Sequence, residues 1–287
     1  MTGTEPSSSD LSGADLERYL HDAVQAARRA GRVVRAAFHD GRVAARAKAP
    51  GDYVTEVDLQ AERVIRDCLR AGTGAEARFV GEECGGAVQG LCWVVDPLDG
   101  TTNFIRGFPS VGVSVALVAD GEPVVGVVHA PLWRETFTAV RGGGAFRNGQ
   151  PIRVSGRPAT GAVCSTGFPF KTPAMLPAYF DVLSAVVGTV EDIRRPAGAS
   201  LDLAWVACGV FDGFFELGLG PWDVAAGALL VREAGGIVTD WRGDHDDWLV
   251  SGNILAAAPL VHAGLIKHTR LAPRAPVPRP TAAAERP

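Results

Sequence analysis

The sequence predicts a layered α/β or α+β fold. Three observations carry that expectation. Helical and strand-like stretches occur in both halves of the chain. The second half alternates between them. Apolar residues make up 47% of the 287 positions, enough to fill a core between layers of secondary structure. No internal repeat is visible along the chain.

Residues 1–11 are polar and are expected to be disordered. Ser12 and Asp15 then form a capping-box pattern, and Leu16, Leu20, Val24, Ala27 and Phe38 mark one apolar stripe. That spacing predicts a helix over about 14–38. Thr55 and Asp58 repeat the capping pattern before a second helix, whose apolar positions are Val57, Ala61, Val64, Ile65, Cys68 and Leu69. Residues 79–81 and 93–96 are short apolar strands. Residues 111–118 and 124–128 flank Asp120-Gly121 and read as a hairpin. Gly142-Gly143-Gly144 lacks the Lys-Ser/Thr that follows a phosphate loop, so it reads as a flexible hairpin turn, and Asn148-Gly149 as another turn. Residues 201–208 are helical and stop at Gly209; 222–234 are helical and stop at Gly235-Gly236. Strands are expected at 211–217, 237–240 and 254–258, and the Pro- and Ala-rich tail, 271–287, is expected to be disordered.

Composition excludes several functions. The formal charge of −4 gives no basic field, so direct nucleic-acid binding is not expected. The five cysteines contain no C-x-x-C pair, which argues against a zinc ribbon and for buried thiols in a reducing cytosol. The N-terminus has no basic region followed by an apolar one, and no apolar run reaches the ~18 residues of a membrane helix. A cytoplasmic protein without membrane contact is expected.

The stretch WVVDPLDGTTNF, residues 93–104, carries the chemistry. A buried strand runs into Asp96; Pro97 fixes the backbone and offers no N–H; Asp99 follows; Gly100 lets the backbone approach a ligand closely. If a helix starts here, the amides from Gly100 through Thr102 face an anion at its N-terminus. Carboxylates for a hard cation thus lie beside amides for a phosphate, the arrangement Mg²⁺ takes, with its remaining ligands from water and phosphate. The bland alternative is a helix start capped by Asp99. Other acids are ambiguous when taken singly. Glu82-Glu83 can be solvated surface; Thr55 and Asp58 are explained by capping; Asp223 suits a helix dipole; Glu216 suits a strand end. No G-x-S-x-G elbow, H-E-x-x-H pair or other nucleophile motif is present.

Four segments together resemble the inositol monophosphatase family, within the lithium-sensitive, magnesium-dependent phosphatases. They are DYVTEVD at 52–58, GEE at 81–83, WVVDPLDGTTNF at 93–104, and WDVAAG at 222–227 with EAGG at 233–236. They stand in the family's order and span roughly 12–265, and 201–236 looks most like the bacterial inositol-1-phosphatase branch. The resemblance implies an αβαβα layered sandwich as a single domain over 12–270, its two lobes divided near 150–195, and usually a homodimer. It implies that Glu82, Asp96, Asp99, Asp223 and the carbonyl of Leu98 hold two or three Mg²⁺ ions, with Asp96 bridging two. Gly100, Thr101 and Thr102 would cradle phosphate, and Thr101 with Asp58 would orient or deprotonate the attacking water. Gly198, Ala199, Ser200 and Glu216 would contact substrate hydroxyls. The implied activity is hydrolysis of inositol monophosphate or a related polyol phosphate. Fructose 1,6-bisphosphate and histidinol phosphate are rival substrates, and binding the transcription machinery is a rival role. Thr102 stands where the nucleotide branch commonly has Lys, which argues against that branch. Arg194-Arg195-Pro196 is a local departure in the region where substrate preference varies.

Overall fold

The computed structural model describes residues 11–41, 44–49, 52–73, 77–196 and 198–271. The segments expected to be disordered, 1–11 and 271–287, lie outside these residues except for Leu11 and Leu271.

The first helix, α1 (Gly13–Asp40), opens on the predicted box: Ser12 Oγ accepts from the Asp15 N–H at 3.2 Å, and the Asp15 carboxylate accepts from the Ser12 N–H at 3.2 Å. Its buried face is mostly small, with Ala23, Ala26, Ala27, Ala30 and Gly31, and the expected Leu20, Val24 and Phe38 are only half-buried. Small residues let the helix lie close on the sheet beneath. A short antiparallel pair follows, β1 (Ala45–Ala49) and β2 (Asp52–Thr55). The sequence reading placed no strands there, because the pair carries too little apolar patterning. The second helix, α2 (Glu56–Thr73), packs beside α1.

Next comes a seven-stranded sheet in sequence order: β3 (Arg78–Gly81), β4 (Leu91–Asp99), β5 (Gly112–Ala119), β6 (Glu122–Ala130), β7 (Glu135–Val140), β8 (Gly144–Arg147) and β9 (Gln150–Pro151). The six-residue helix α3 (Thr101–Arg106) interrupts it between β4 and β5. Only β3 and β4 are parallel; the rest form an antiparallel meander. Strands β4 and β5 are buried along their whole length because helices cover both faces. Each fully buried Val there contributes roughly 1.5–3 kcal/mol. The Gly142–Gly144 turn joins β7 to β8, and the Glu233 carboxylate accepts from both Gly142 and Gly144 N–H groups at 2.8 and 2.9 Å.

The second half adds β10 (Val163–Thr166), α4 (Leu176–Val187), β11 (Asp192–Arg194), α5 (Ala199–Ala207), β12 (Gly213–Glu216), α6 (Pro221–Glu233), β13 (Ile237–Thr239), α7 (Trp248–Ser251), β14 (Ile254–Ala257) and α8 (Pro259–Thr269). The second sheet has the order β11-β10-β12-β14-β13. Three cores separate the layers. The α1/α2 layer packs on one face of the large sheet, α5 and α6 fill the space between the two sheets, and α4 and α8 cover the outer face of the small sheet. The fold is therefore the αβαβα sandwich expected. The sequence reading missed α4, α8, β10 and β11, whose short apolar runs carry no distinguishing period.

Candidate metal centre

A one-residue irregularity in β4 builds the centre. Asp96 pairs with Ser114 and Asp99 with Gly112, so three steps along β4 oppose two along β5. Side chains alternate faces along a strand, and without that extra residue Asp96 and Asp99 would point to opposite sides. The bulge, at Pro97-Leu98, turns both toward the α5/α6 layer. There α6 opens at Pro221, and Asp223 in its first turn completes a trio: Asp96, Asp99 and Asp223 each offer a carboxylate oxygen within 4.8 Å of the others.

The neighbours are arranged to hold these groups still. The Leu98 N–H donates to Asp96 Oδ1 at 2.9 Å, and the Gly220 N–H to Asp223 Oδ2 at 2.6 Å. Ser200 donates its N–H and its hydroxyl to Asp99 Oδ2 at 2.8 and 2.5 Å. Without a cation the trio is electrostatically unfavourable. Burial, and then the charges of Glu82, Asp99 and Asp223, push Asp96 well above the usual carboxylate range. Burial and Asp223 push Asp99 up to about 6. Asp223 is raised as well, chiefly by burial.

Glu82 follows β3, its N–H tied to the Val95 carbonyl at 3.1 Å, so it sits beside the trio across the β3–β4 pair. Burial raises it to about 8, Lys48 opposes that rise, and Asp223 adds to it. Lys48 Nζ lies 3.6 Å from Glu82 and 2.5 Å from Glu83. Glu83 thus faces a lysine rather than open solvent.

Asp58 and Thr101 meet although they are 43 residues apart, with Thr101 Oγ1 3.2 Å from Asp58 Oδ1 and 3.2 Å from the Leu98 carbonyl. Asp58 also caps α2: its Oδ2 accepts from the Thr55 N–H at 2.8 Å and the Thr55 hydroxyl at 2.5 Å. The capping and site readings of Asp58 therefore coexist, one per carboxylate oxygen. Gly100 caps α3 with φ 90, a conformation L side chains rarely adopt. Thr102 is exposed.

The expected substrate contacts divide. Gly198, with φ 129, and buried Ala199 lead into α5. Ser200 is fully buried, and both its donors are spent on Asp99. Glu216, at the end of β12, lies against the bare Cα of Gly167, where a Cβ would overlap its carboxylate. Burial and Asp223 raise Glu216 to about 8, and Arg195 opposes the rise. Arg195 itself lies over the rings of Phe168 and Phe170, 5.4 Å from each centroid.

Sequence reasoning missed Lys48, Lys171 and Glu62. Lys171 Nζ is 3.2 Å from Asp52, and its charge is held by Asp223 and Glu82 nearby. The buried Glu62 accepts from the N–H groups of Glu83 and Cys84 at 3.1 and 3.3 Å, anchoring the loop that presents Glu82. Glu62 had a readable signal: it lies four residues after Asp58 on the helix face that includes Ala61 and Ile65. The lysines lie in stretches with no pattern.

The donor set is all oxygen, and no His or Cys joins the trio among the described residues. That chemistry fits a hard cation such as Mg²⁺ rather than zinc. Asp96, Asp99, Asp223, Glu82 and the Leu98 carbonyl are the groups that would hold it.

The chain and its fold resemble those of known proteins of one family. Residues 15–274 match the model of the inositol monophosphatase family. The chain is 44% identical over 256 residues to the Nus factor SuhB of Escherichia coli (strain K12), covering 88% of this chain and 95% of that one. The solved extragenic suppressor protein suhB of Bartonella henselae superposes with TM-score 0.82 at 40% identity, covering 88% of this chain and 98% of that one. The inositol monophosphatase of Anabaena (Nostoc) sp. PCC 7120 gives 0.79 at 33% identity, covering 90% and 98%. The chain belongs to the inositol monophosphatase family. Among the described residues no helix is long and apolar enough to cross a membrane.

Proposed function

We propose that the protein is a Mg²⁺-dependent phosphatase that hydrolyses inositol monophosphate or a related polyol phosphate monoester. The observation that carries this reading is the convergence of Asp96, Asp99 and Asp223 beside the Thr101–Asp58 pair. Divalent ions bound there would supply water activation and neutralise charge on the phosphoryl group.

The chain's own residues do the rest. The first-turn amides of α3 have no acceptor within the helix, so Gly100, Thr101 and Thr102 are the groups to receive phosphate oxygens. Thr101 would donate its hydroxyl hydrogen bond to Asp58 Oδ1 and accept one from the attacking water, so that as the water's proton passes to Thr101, Thr101's own proton passes to Asp58. Asp58 is raised by burial, which suits a group that takes a proton during turnover. Glu216 is the acid placed to bind a substrate hydroxyl, and Arg195 limits its loss of charge. Ser200 positions Asp99. Lys48 and Lys171 stabilise the acids before the ions arrive.

The name Nus factor SuhB, borne by a relative 44% identical, supports a second reading: a binding partner of the transcription machinery. The acids favour catalysis, because binding alone needs none of them converged in a buried pocket. A homodimer in the cytoplasm, inhibited by lithium, completes the proposal. Phosphate release from myo-inositol 1-phosphate, with and without Mg²⁺, tests it, alongside a panel of sugar, amino-alcohol and nucleotide monoesters. Mg²⁺-dependent release supports the phosphatase; no release from any member leaves only the binding role.

A further inference from the structure

A second polar cavity lies on the other face of the large sheet. Along β6, Val128 packs toward the α5/α6 layer, the face Val94 and therefore Asp96 use, whereas Val125 and Val127 pack toward α1. His129 shares their face: the bare Cα of Gly31 in α1 lies directly against its ring, so closely that a Cβ would overlap it. Here a cavity of about 250 Å³ is lined by Arg28, Arg32, Arg35, Arg134, His129 and Thr136, and among the described residues no acid lines it.

Arg28, Arg32 and Arg35 follow helical spacing, so they present their charges from one side of α1. Among the described residues the side chains of Arg32, Arg35 and Arg134 make no hydrogen bond or ion pair, and Arg28 makes only a 3.5 Å contact with Thr136 Oγ1. Glu135, adjacent to Thr136 in sequence, is engaged by Arg147. Burial, with help from Arg28 and Arg32, lowers His129 to about 4, so it is neutral at pH 7. Its Nδ1 is 3.0 Å from the Glu135 carbonyl and 3.0 Å from Thr136 Oγ1.

The rim is strained in a telling way. Ala130 and Glu135 close a four-residue turn, and Arg134 ends it with φ 56. Gly or Asn takes that conformation at less cost. Asn148, with φ 51, braces the turn by accepting the Thr136 N–H at 2.9 Å. A Gly at 134 would relax the turn and lose a guanidinium facing the cavity. Four uncompensated cations in one concavity repel each other unless an anion sits among them.

We propose that this cavity binds a small phosphorylated anion carrying two or more negative charges, at a site separate from the acidic centre. Its volume lies below the ~300–1,000 Å³ of sites that enclose drug-sized ligands, so a compact phosphate group enters and any larger moiety projects into solvent. The site does not depend on the phosphatase reading.

The test is titration calorimetry of pyrophosphate, and separately of ADP, into the metal-free full-length protein at low salt. Without metal, the acidic centre repels both. One site per chain is expected, with pyrophosphate and ADP binding within a few-fold of each other. Arg134→Gly, and the pair Arg32→Gln with Arg35→Gln, should each weaken binding about tenfold or more. Arg134→Gly should keep or raise Tm, which separates lost binding from lost folding. No saturable binding, unchanged binding in both variants, or binding of ADP alone would overturn the proposal. So would a short single-stranded RNA that displaces pyrophosphate at lower concentration, which would make this face a nucleic-acid contact.

Discussion

Ser200 and Asp99 lie 101 residues apart in sequence and share two hydrogen bonds to a single carboxylate oxygen, Oδ2. One partner ends β4 and the other opens α5, so the pair ties the first sheet to the layer between the sheets. A carboxylate fixed in this way offers its other oxygen in a set direction. Ser200→Ala keeps the N–H bond and removes the hydroxyl. We expect the Mg²⁺ concentration for half-maximal activity to rise about tenfold, as when an outer partner of a metal ligand is lost, with substrate KM little changed. A raised KM with unchanged Mg²⁺ dependence would place Ser200 among the substrate contacts instead.

Metal-free protein should become less stable as pH rises from 6.5 to 8. Burial raises Glu82 and Glu216 from 4.5 to about 8, with Asp223 adding to both. The folded state therefore holds protons that the unfolded chain has released, and the stability they contribute is lost as pH rises toward 8. His129 and His262, lowered by burial to about 4, act oppositely, but only as pH falls from 6.5 to 4. Above 6.5 the acids dominate. Tm in chelator should fall across that window, and Mg²⁺ should suppress the fall. Calorimetry at pH 7 in two buffers of different ionisation enthalpy should record proton release on Mg²⁺ binding. A chelated Tm that rises from pH 6.5 to 8 would contradict this.

Gly126 in β6 packs against α6, where a Cβ would meet the Ala226 carbonyl oxygen at 2.9 Å. Backbone cannot swing aside as a side-chain tip can. Gly126→Ala should cost ~1–3 kcal/mol, as overpacking does, lowering Tm by roughly 2–4 °C for each of these. It should also reduce turnover, because α6 carries Asp223. An unchanged Tm would mean that α6 lies further from the sheet.

The contrast between these residues shows what the sequence makes legible. Asp96 and Asp99 stood out because an apolar strand, a proline and a glycine crowd them into one short stretch. Long helices such as α1 and α2 were readable from their caps and stripes. The bulge that turns both acids to one face was not readable, since it depends on pairing with β5. Nor was the Ser200–Asp99 clamp, because Ser200 sits in an apolar helix start with nothing local to mark its partner. Lys48 lies on a two-stranded edge with no apolar pattern, so its role appears only where the fold brings Glu82 beside it. Nothing in the local pattern of α1 marks its arginines, because the cavity they line forms only where β6 and the 131–134 turn meet the helix.

The most direct test of the central claim is phosphate release by the wild type and by Asp96→Asn at saturating Mg²⁺, with folding checked by circular dichroism. Asn keeps the size of Asp96 and removes the charge that Asp99 and Asp223 share with it around a cation. The account predicts a loss of about a hundredfold or more in kcat, comparable with deleting one strong electrostatic contact in a catalytic site, in a variant that folds and, lacking one of the crowded charges, is at least as stable without metal. A folded Asp96→Asn variant with undiminished turnover would contradict it.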